Sequence, residues 1–206
     1  MKAFKPKFKT RLVLLLIGIF LLSSLPSFAQ SLKGKWNIAK KNTRHSTVLQ
    51  FTEDSLMFYE FDKRHSATAY QVKGDSIAVD SGSIPIDGKF QFVNPQRLRL
   101  KPDRAKHPID FVQLIPTKTN LTKTEMEQLN FNIKYQNHTI PVNFDGVQDE
   151  SGKTVQLENI DATYFLTFYQ KNKRMGAMPI EKVTPEKIIV YGFPEKPYKV
   201  TGKAAN

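Results

Sequence analysis

The stretch from Lys89 to Lys101 reads Lys-Phe-Gln-Phe-Val-Asn-Pro-Gln-Arg-Leu-Arg-Leu-Lys, and both of its halves alternate apolar with polar residues. A period of two places all the apolar side chains of a β-strand on one face. The opposite face is polar or charged, and one wet face is typical of antiparallel sheets. Because Asn-Pro between the halves is a turn signal, the stretch predicts two antiparallel strands joined by a short turn.

The same period continues through most of the chain. Further alternating or continuously apolar runs occupy residues 56–61, 76–80, 111–115, 130–135, 139–144, 163–170 and 187–193. Turn signals such as Asp87-Gly88 and Asp145-Gly146 separate them, and this pattern predicts an all-β fold, either an antiparallel barrel or a sandwich. Only Thr122 to Leu129 differs, because two overlapping capping-box spacings there predict a short helix.

That helix divides the candidate strands into two groups. Roughly eight strands precede it and five or six follow it, and a small barrel closes with about eight strands. We therefore predict an up-and-down antiparallel barrel over residues 30–117, a linker with the short helix over 118–129, and a second antiparallel β unit over 130–206. The alternative is one larger barrel or sandwich that uses all the strands.

The N-terminus has the features of a secretory signal peptide. Five of the 31 lysines and arginines lie in the first eleven residues, ahead of an apolar run from Leu12 to Leu22 and a Ser27-Phe28-Ala29 site. The run is well short of the ~20 residues that span a bilayer, so we expect residues 1–29 to be removed after Ala29. The net charge would then fall from +12 to +7. The chain has no cysteine, which favours a bacterial periplasm over eukaryotic secretion; we expect a periplasmic or secreted protein with no transmembrane helix in the mature chain.

The sequence contains no recognisable set of catalytic residues. The segment Gly146 to Thr154 has five residues between its glycines where a phosphate-binding loop needs four. Serine-hydrolase elbows are missing, the four histidines lack ligand-like spacing, and the absence of cysteine excludes thiolate metal sites. We therefore predict no enzyme activity, no metal and no cofactor, and no nucleic-acid partner because no known binding motif is present.

The segment Leu32-Lys-Gly-Lys-Trp-Asn-Ile38 carries the only tryptophan of the chain. Gly34 and Trp36 resemble the Gly-x-Trp signature of secreted bacterial lipocalin-like domains, and the resemblance covers about residues 31–116. It implies that the glycine lets the chain enter the first strand tightly and that the indole plugs the closed end of a barrel. It also implies that a late-strand arginine, Arg97 or Arg99, packs over the indole.

The resemblance further implies a non-catalytic binding protein for a small hydrophobic or amphiphilic ligand. Aromatic residues are numerous in the first unit, and they either fill the barrel completely or line a ligand cavity. The candidate ligand-binding residues are Tyr59, Phe61, Tyr70, Phe90, Phe92 and Phe111.

A basic stretch suggests a second function. Arg97, Arg99 and Lys101 share one face of the predicted strand, and Arg104 follows closely, so the field there would favour an anionic component of the cell envelope. The alternative function is thus an interaction or structural protein with a filled core and a basic contact surface. The same charges also fit a solvated face that protects an edge strand from aggregation.

Overall fold

A computed structural model of the protein describes residues 31–39, 47–80, 85–144, 146–147 and 152–205. The predicted signal peptide over residues 1–29 and its cleavage point after Ala29 lie outside the described residues.

The first eight strands close into an antiparallel barrel in which sequential strands pair and β1 also pairs with β8. The prediction of an up-and-down barrel is confirmed. Its strands are β1 (Gly34–Ile38), β2 (Thr47–Phe51), β3 (Ser55–Glu60), β4 (Lys63–Lys73), β5 (Ser76–Val79), β6 (Gly88–Asn94), β7 (Arg97–Pro102) and β8 (Ile109–Gln113).

The barrel interior is filled by apolar side chains from the inward face of these strands. Trp36 is completely buried there, and its Nε1 donates a hydrogen bond of 2.6 Å to the carbonyl of Leu32. A buried indole N–H requires such an acceptor. Gly34 has a φ of +117°, a conformation that favours glycine. The large, fully buried side chains around the indole are Leu49, Phe51, Leu56, Ile77, Leu98 and Leu100.

The short helix α1 (Lys123–Glu127) follows the barrel, as the capping boxes predict. The side chain of Thr122 accepts a hydrogen bond from the backbone N–H of Glu125, and the Glu125 carboxylate accepts one from the backbone N–H of Thr122. This reciprocal arrangement satisfies two donors at the start of the helix. Met126 anchors the helix in the core of the second sheet.

The remaining strands form a separate seven-stranded antiparallel sheet in the order β10-β9-β15-β14-β13-β12-β11. The second β unit is confirmed, and the alternative of one larger barrel is wrong because β8 returns to β1. The strands are β9 (Asn130–Tyr135), β10 (His138–Asn143), β11 (Lys153–Ile160), β12 (Thr163–Gln170), β13 (Lys173–Thr184), β14 (Lys187–Tyr191) and β15 (Lys199–Ala204).

The inner face of this sheet, as we call the face that carries its core, buries apolar residues from nearly every strand. These include Phe131, Ile133, Val142, Leu157, Leu166, Ile180, Val183, Ile188, Val190 and Val200. Along each strand, successive side chains point alternately to this inner face and to the opposite, outer face. The strand pairing therefore shows which side chains share a face.

The barrel and the second sheet pack against each other. Phe61, in the turn between β3 and β4, meets Phe165 of β12 edge to face with ring centroids 5.0 Å apart. Thr117 Oγ1 donates to the carbonyl of Ile180 at 2.7 Å, and Thr163 Oγ1 donates to the carbonyl of Ile115 at 2.8 Å. The residues from Leu32 onward accordingly form one compact unit.

Candidate functional site

The six aromatic residues predicted to bind ligand fall into two groups. Tyr70, Phe90, Phe92 and Phe111 belong to the cluster inside the barrel. Tyr59 and Phe61 instead join a cluster on the outside of the barrel, against the second sheet. Leu56 and Phe58 belong to the cluster inside the barrel, so alternation along β3 places Tyr59 on the outer face, and Phe61, with a positive φ of 57°, lies in the turn that follows.

The arginines of β7 lie on the outer face of the barrel, opposite the inward-facing Leu98 and Leu100. Asp110 on β8 accepts hydrogen bonds from both Arg97 and Arg99, at 3.0 and 2.7 Å for the shortest contact of each. The partners of Arg97 thus lie on the side of β7 facing away from the indole. Burial alone would raise the pKa of Asp110, but its hydrogen bonds to the two arginines lower it below the ordinary range.

Arg97 also holds the segment that follows β14. Its side chain is only 2% exposed, its Nη1 and Nη2 donate to the carbonyls of Phe193 and Pro194 at 2.9 and 2.8 Å, and its guanidinium lies 4.2 Å from the ring centre of Tyr198. Arg97 is therefore an internal clamp. Of the basic stretch, Lys101 and Arg104 are exposed, and Lys101 Nζ donates to the carbonyls of Ala105 and Lys106.

A recess with a largely apolar lining lies in the second sheet. Strands β10 and β11 are its two edges, and no pairing joins them among the described residues. A cleft of about 630 Å³ separates them, with residues of β10 on one side and of β11 to β13 on the other. We call it the seam cleft. Because both edges border one cleft, the sheet must curl around its inner face.

The seam cleft is lined largely by apolar side chains. Ile140, Val155 and Phe168 continue the core of the sheet to the cleft floor. Val147 and Met175 are 69% and 36% exposed and line it as well. Its volume lies within the roughly 300–1,000 Å³ typical of small-molecule sites, which are mostly apolar with a few polar groups.

A β-bulge places Met175 at the cleft. The register between β12 and β13 shifts after the pair Phe168–Gly176, so that Tyr169 pairs with Arg174 and Met175 is the extra residue. A bulge re-aims side chains and commonly occurs beside binding sites. The same shift keeps Arg174 on the outer face.

Pro141 makes the edge strand β10 a poor partner for an added strand. It pairs with Asn132 of β9 and lines the cleft. A proline is tolerated in an edge strand where its nitrogen faces away from the neighbour, so this free edge has one donor fewer. The cleft is better suited to a small molecule than to an extended peptide.

A polar network supports the wall of the cleft from the outer face. Tyr169 lines the cleft, and its hydroxyl donates to Glu158 Oε1 at 3.0 Å, while Arg174 Nη2 donates to the same oxygen at 2.9 Å. Burial alone would raise the pKa of Glu158, but the hydrogen bond and charge of Arg174 outweigh it, and the pKa is lowered. Burial and the Glu158 hydrogen bond raise the pKa of Tyr169. The guanidinium of Arg174 also stacks on Phe61 at 4.3 Å, which ties the network to the barrel.

Comparison with models of known protein families found no match, and comparison with curated protein sequences found none either. The lipocalin-like resemblance therefore remains a prediction from the Gly34 and Trp36 motif. In the part of the chain that the structure describes, no cluster of three or more potential metal ligands occurs and no helix has the length and apolarity to cross a bilayer.

Proposed function

We propose that the protein is a non-catalytic binding protein for a small amphiphilic ligand and that the ligand occupies the seam cleft. The observation that carries this proposal is an apolar cleft of about 630 Å³ between two unpaired edge strands. The barrel interior is a weaker candidate because large side chains such as Trp36, Phe51 and Leu100 occupy it.

The binding energy would come mainly from burial of apolar ligand surface. Each buried methylene contributes about 0.8 kcal/mol, which corresponds to about a fourfold change in Kd. Affinity should therefore rise about fourfold with each added methylene in a series of neutral alkyl glycosides until the cleft is full. The polar groups at the rim, which include Tyr169 and Gln170, leave the head group in contact with water.

The single tryptophan allows the ligand to be located. A brominated alkyl ligand quenches indole emission only at close range, so a ligand in the seam cleft should leave the emission of Trp36 unchanged. A second indole introduced by Met175→Trp should be quenched on titration. Quenching of Trp36 at the same ligand concentration would place the site in the barrel and refute the seam cleft.

A matched pair of variants tests the lining. Met175→Lys replaces an exposed apolar side chain in the cleft, and we expect the affinity for the alkyl ligand to fall about tenfold because contact area is lost and a charge is introduced. Val72→Lys is the control, since Val72 is also exposed and apolar but lies on barrel strand β4. Equal affinities of the two variants would contradict the proposal.

A further inference from the structure

The outer face of the second sheet carries a band of lysines that the basic stretch in the barrel does not include. One lysine stands on each of five neighbouring segments, and none of the five makes a salt bridge within the described residues. We call them the lysine band; they are Lys118 before α1, Lys182 on β13, Lys187 on β14, Lys203 on β15 and Lys134 on β9.

The register places these side chains on one face. Lys187 stands directly opposite Lys203, which in turn pairs with Asn132. Ile188, which follows Lys187, and Ile133, which precedes Lys134, are buried in the core of the inner face. Since neighbours along a strand point to opposite faces, Lys134, Lys187 and Lys203 point outward.

Lys182 and Lys118 extend the band at its other end. Lys182 pairs with Ile189, and its neighbour Val183 is buried in the inner core, so Lys182 also points outward. Lys118 is exposed and forms a parallel bridge with Lys182. With strands about 4.8 Å apart, the five positions span about 19 Å.

Acidic residues are missing from the rows that contain the band. The other printed partners in these rows are neutral: Asn132, Thr139, Pro141, Thr184, Ile189 and Thr201. Of the acids nearest in sequence to the band, Glu181 is paired with Lys199, and Glu186 lies in the turn between β13 and β14. Hydrogen bonds from Thr184 and its own backbone, together with the charge of Lys187, lower the pKa of Glu186. The band differs in this respect from β7, where Asp110 accepts hydrogen bonds from both Arg97 and Arg99.

The pair Lys187–Lys203 counts against a purely structural role. Like charges that stand directly opposite on neighbouring strands destabilise a sheet. Glu186 offsets part of this repulsion at Lys187, but no acid stands opposite either lysine in the register. The arrangement points to an anionic partner that the band meets as a unit.

We propose that the lysine band docks the protein onto an anionic lipid surface. The band presents positive charge outward from the sheet over about 19 Å, and this charge is complementary to a plane of negative headgroups. A linear acidic polysaccharide is the alternative partner, and the test below distinguishes it from a membrane. Long-range attraction to a charged surface requires no shape complementarity.

The expected strength follows from the number of lysines. Each lysine near an anionic membrane contributes about a fivefold factor to partitioning, equivalent to about 1 kcal/mol. Removing two lysines should therefore weaken binding about 25-fold. Binding should also fall steeply as salt rises from 50 to 500 mM, because the Debye length shortens.

The test compares two variants of equal net charge by sedimentation with vesicles of phosphatidylcholine containing 30% phosphatidylglycerol. Lys187→Gln/Lys203→Gln removes the centre of the band, and we expect about 25-fold weaker binding. Lys63→Gln/Lys73→Gln removes two exposed lysines from barrel strand β4, and its binding should stay within about twofold of the wild type. Vesicles of phosphatidylcholine alone should not bind, and far-UV circular dichroism with thermal melting should show that both variants are folded.

Two results would overturn the proposal. Equal losses in the two variants would show that net charge, and not the band, governs binding. Tighter binding to soluble polygalacturonate than to the vesicles, lost in Lys187→Gln/Lys203→Gln, would identify a polysaccharide partner instead. The seam cleft is tested separately, because Met175→Lys should bind the vesicles like the wild type.

Discussion

Replacement of Arg97 by alanine should be among the most damaging single changes in this protein. The arginine is almost completely buried and serves three groups at once: the carboxylate of Asp110, two backbone carbonyls after β14 and the ring of Tyr198. Removing it leaves Phe193 and Pro194 without those donors. Asp110 keeps only Arg99.

The magnitude follows from these contacts. Breaking a buried ion pair by removing one partner costs about 3–5 kcal/mol, and a buried hydrogen-bonding group left unpaired costs about 1–3 kcal/mol. Because Arg99 still compensates Asp110, we expect a total loss of about 3–5 kcal/mol. That is a large share of the roughly 5–15 kcal/mol typical of folded proteins.

The assay is urea unfolding followed by two probes. Trp36 emission reports on the barrel, and far-UV circular dichroism reports on both sheets. With a slope of about 2 kcal/mol/M, Arg97→Ala should lower the midpoint by about 2 M. Both probes should shift together, since Arg97 joins β7 to a segment of the second sheet.

Two further variants keep the reasoning testable if Arg97→Ala does not fold. Arg97→Lys retains the charge but loses the planar fork and the stacking on Tyr198, so it should cost less than alanine but more than 1 kcal/mol. Arg99→Ala removes the more exposed partner of the same carboxylate and should cost about 1 kcal/mol or less. Equal costs for Arg97→Lys and Arg99→Ala would refute the clamp.

Three other changes test the second sheet. Gly202→Ala should destabilise by about 1–3 kcal/mol in thermal unfolding, because a Cβ there would lie 2.8 Å from a methyl of Ile188. Glu158→Gln should lower stability at pH 7 but have little effect at pH 3. The pKa of Glu158 is lower in the folded protein than in the unfolded chain, where it is about 4.3. The ionised carboxylate therefore stabilises the fold above that pH, and this stabilisation is lost as the pH falls through the folded pKa. A mutational cost that is the same at both pH values would contradict the role of Arg174 as its partner. Lys187→Gln should change stability by less than about 0.5 kcal/mol, since relief of the repulsion from Lys203 offsets the lost attraction to Glu186, while vesicle binding falls.

The fold class was predictable because it rests on local patterns. Alternation in Lys89–Phe92 and Arg97–Lys101 places the apolar residues of β6 and β7 inside the barrel, as the structure shows. The helix was predictable from a capping box that acts over four residues. The two-sheet division followed from the count of strands that a small barrel needs.

The contacts of individual side chains were less predictable because they depend on distant residues. Alternation correctly placed Arg97 on the outer face of β7, but its burial depends on a segment 96 residues further along the chain. Phe61 was expected with the barrel aromatics, but it lies in the turn after β3 and packs against Phe165 of the second sheet. The lysine band was not predicted from the sequence, because its members are scattered between positions 118 and 203. Only the order of the strands in the sheet brings them together.

The difference between the two sheets explains why the candidate cleft lies in the second. Eight strands close on themselves, and a barrel of that size is just wide enough for its own side chains to fill. The second sheet has seven strands and leaves β10 and β11 as edges. An open seam exposes both unpaired backbone and the margin of an apolar core, and the proline in edge strand β10 makes that edge unfavourable for strand pairing. What remains accessible is a recess for a ligand that does not need backbone hydrogen bonds, which is why we place the amphiphile there and not in the closed barrel.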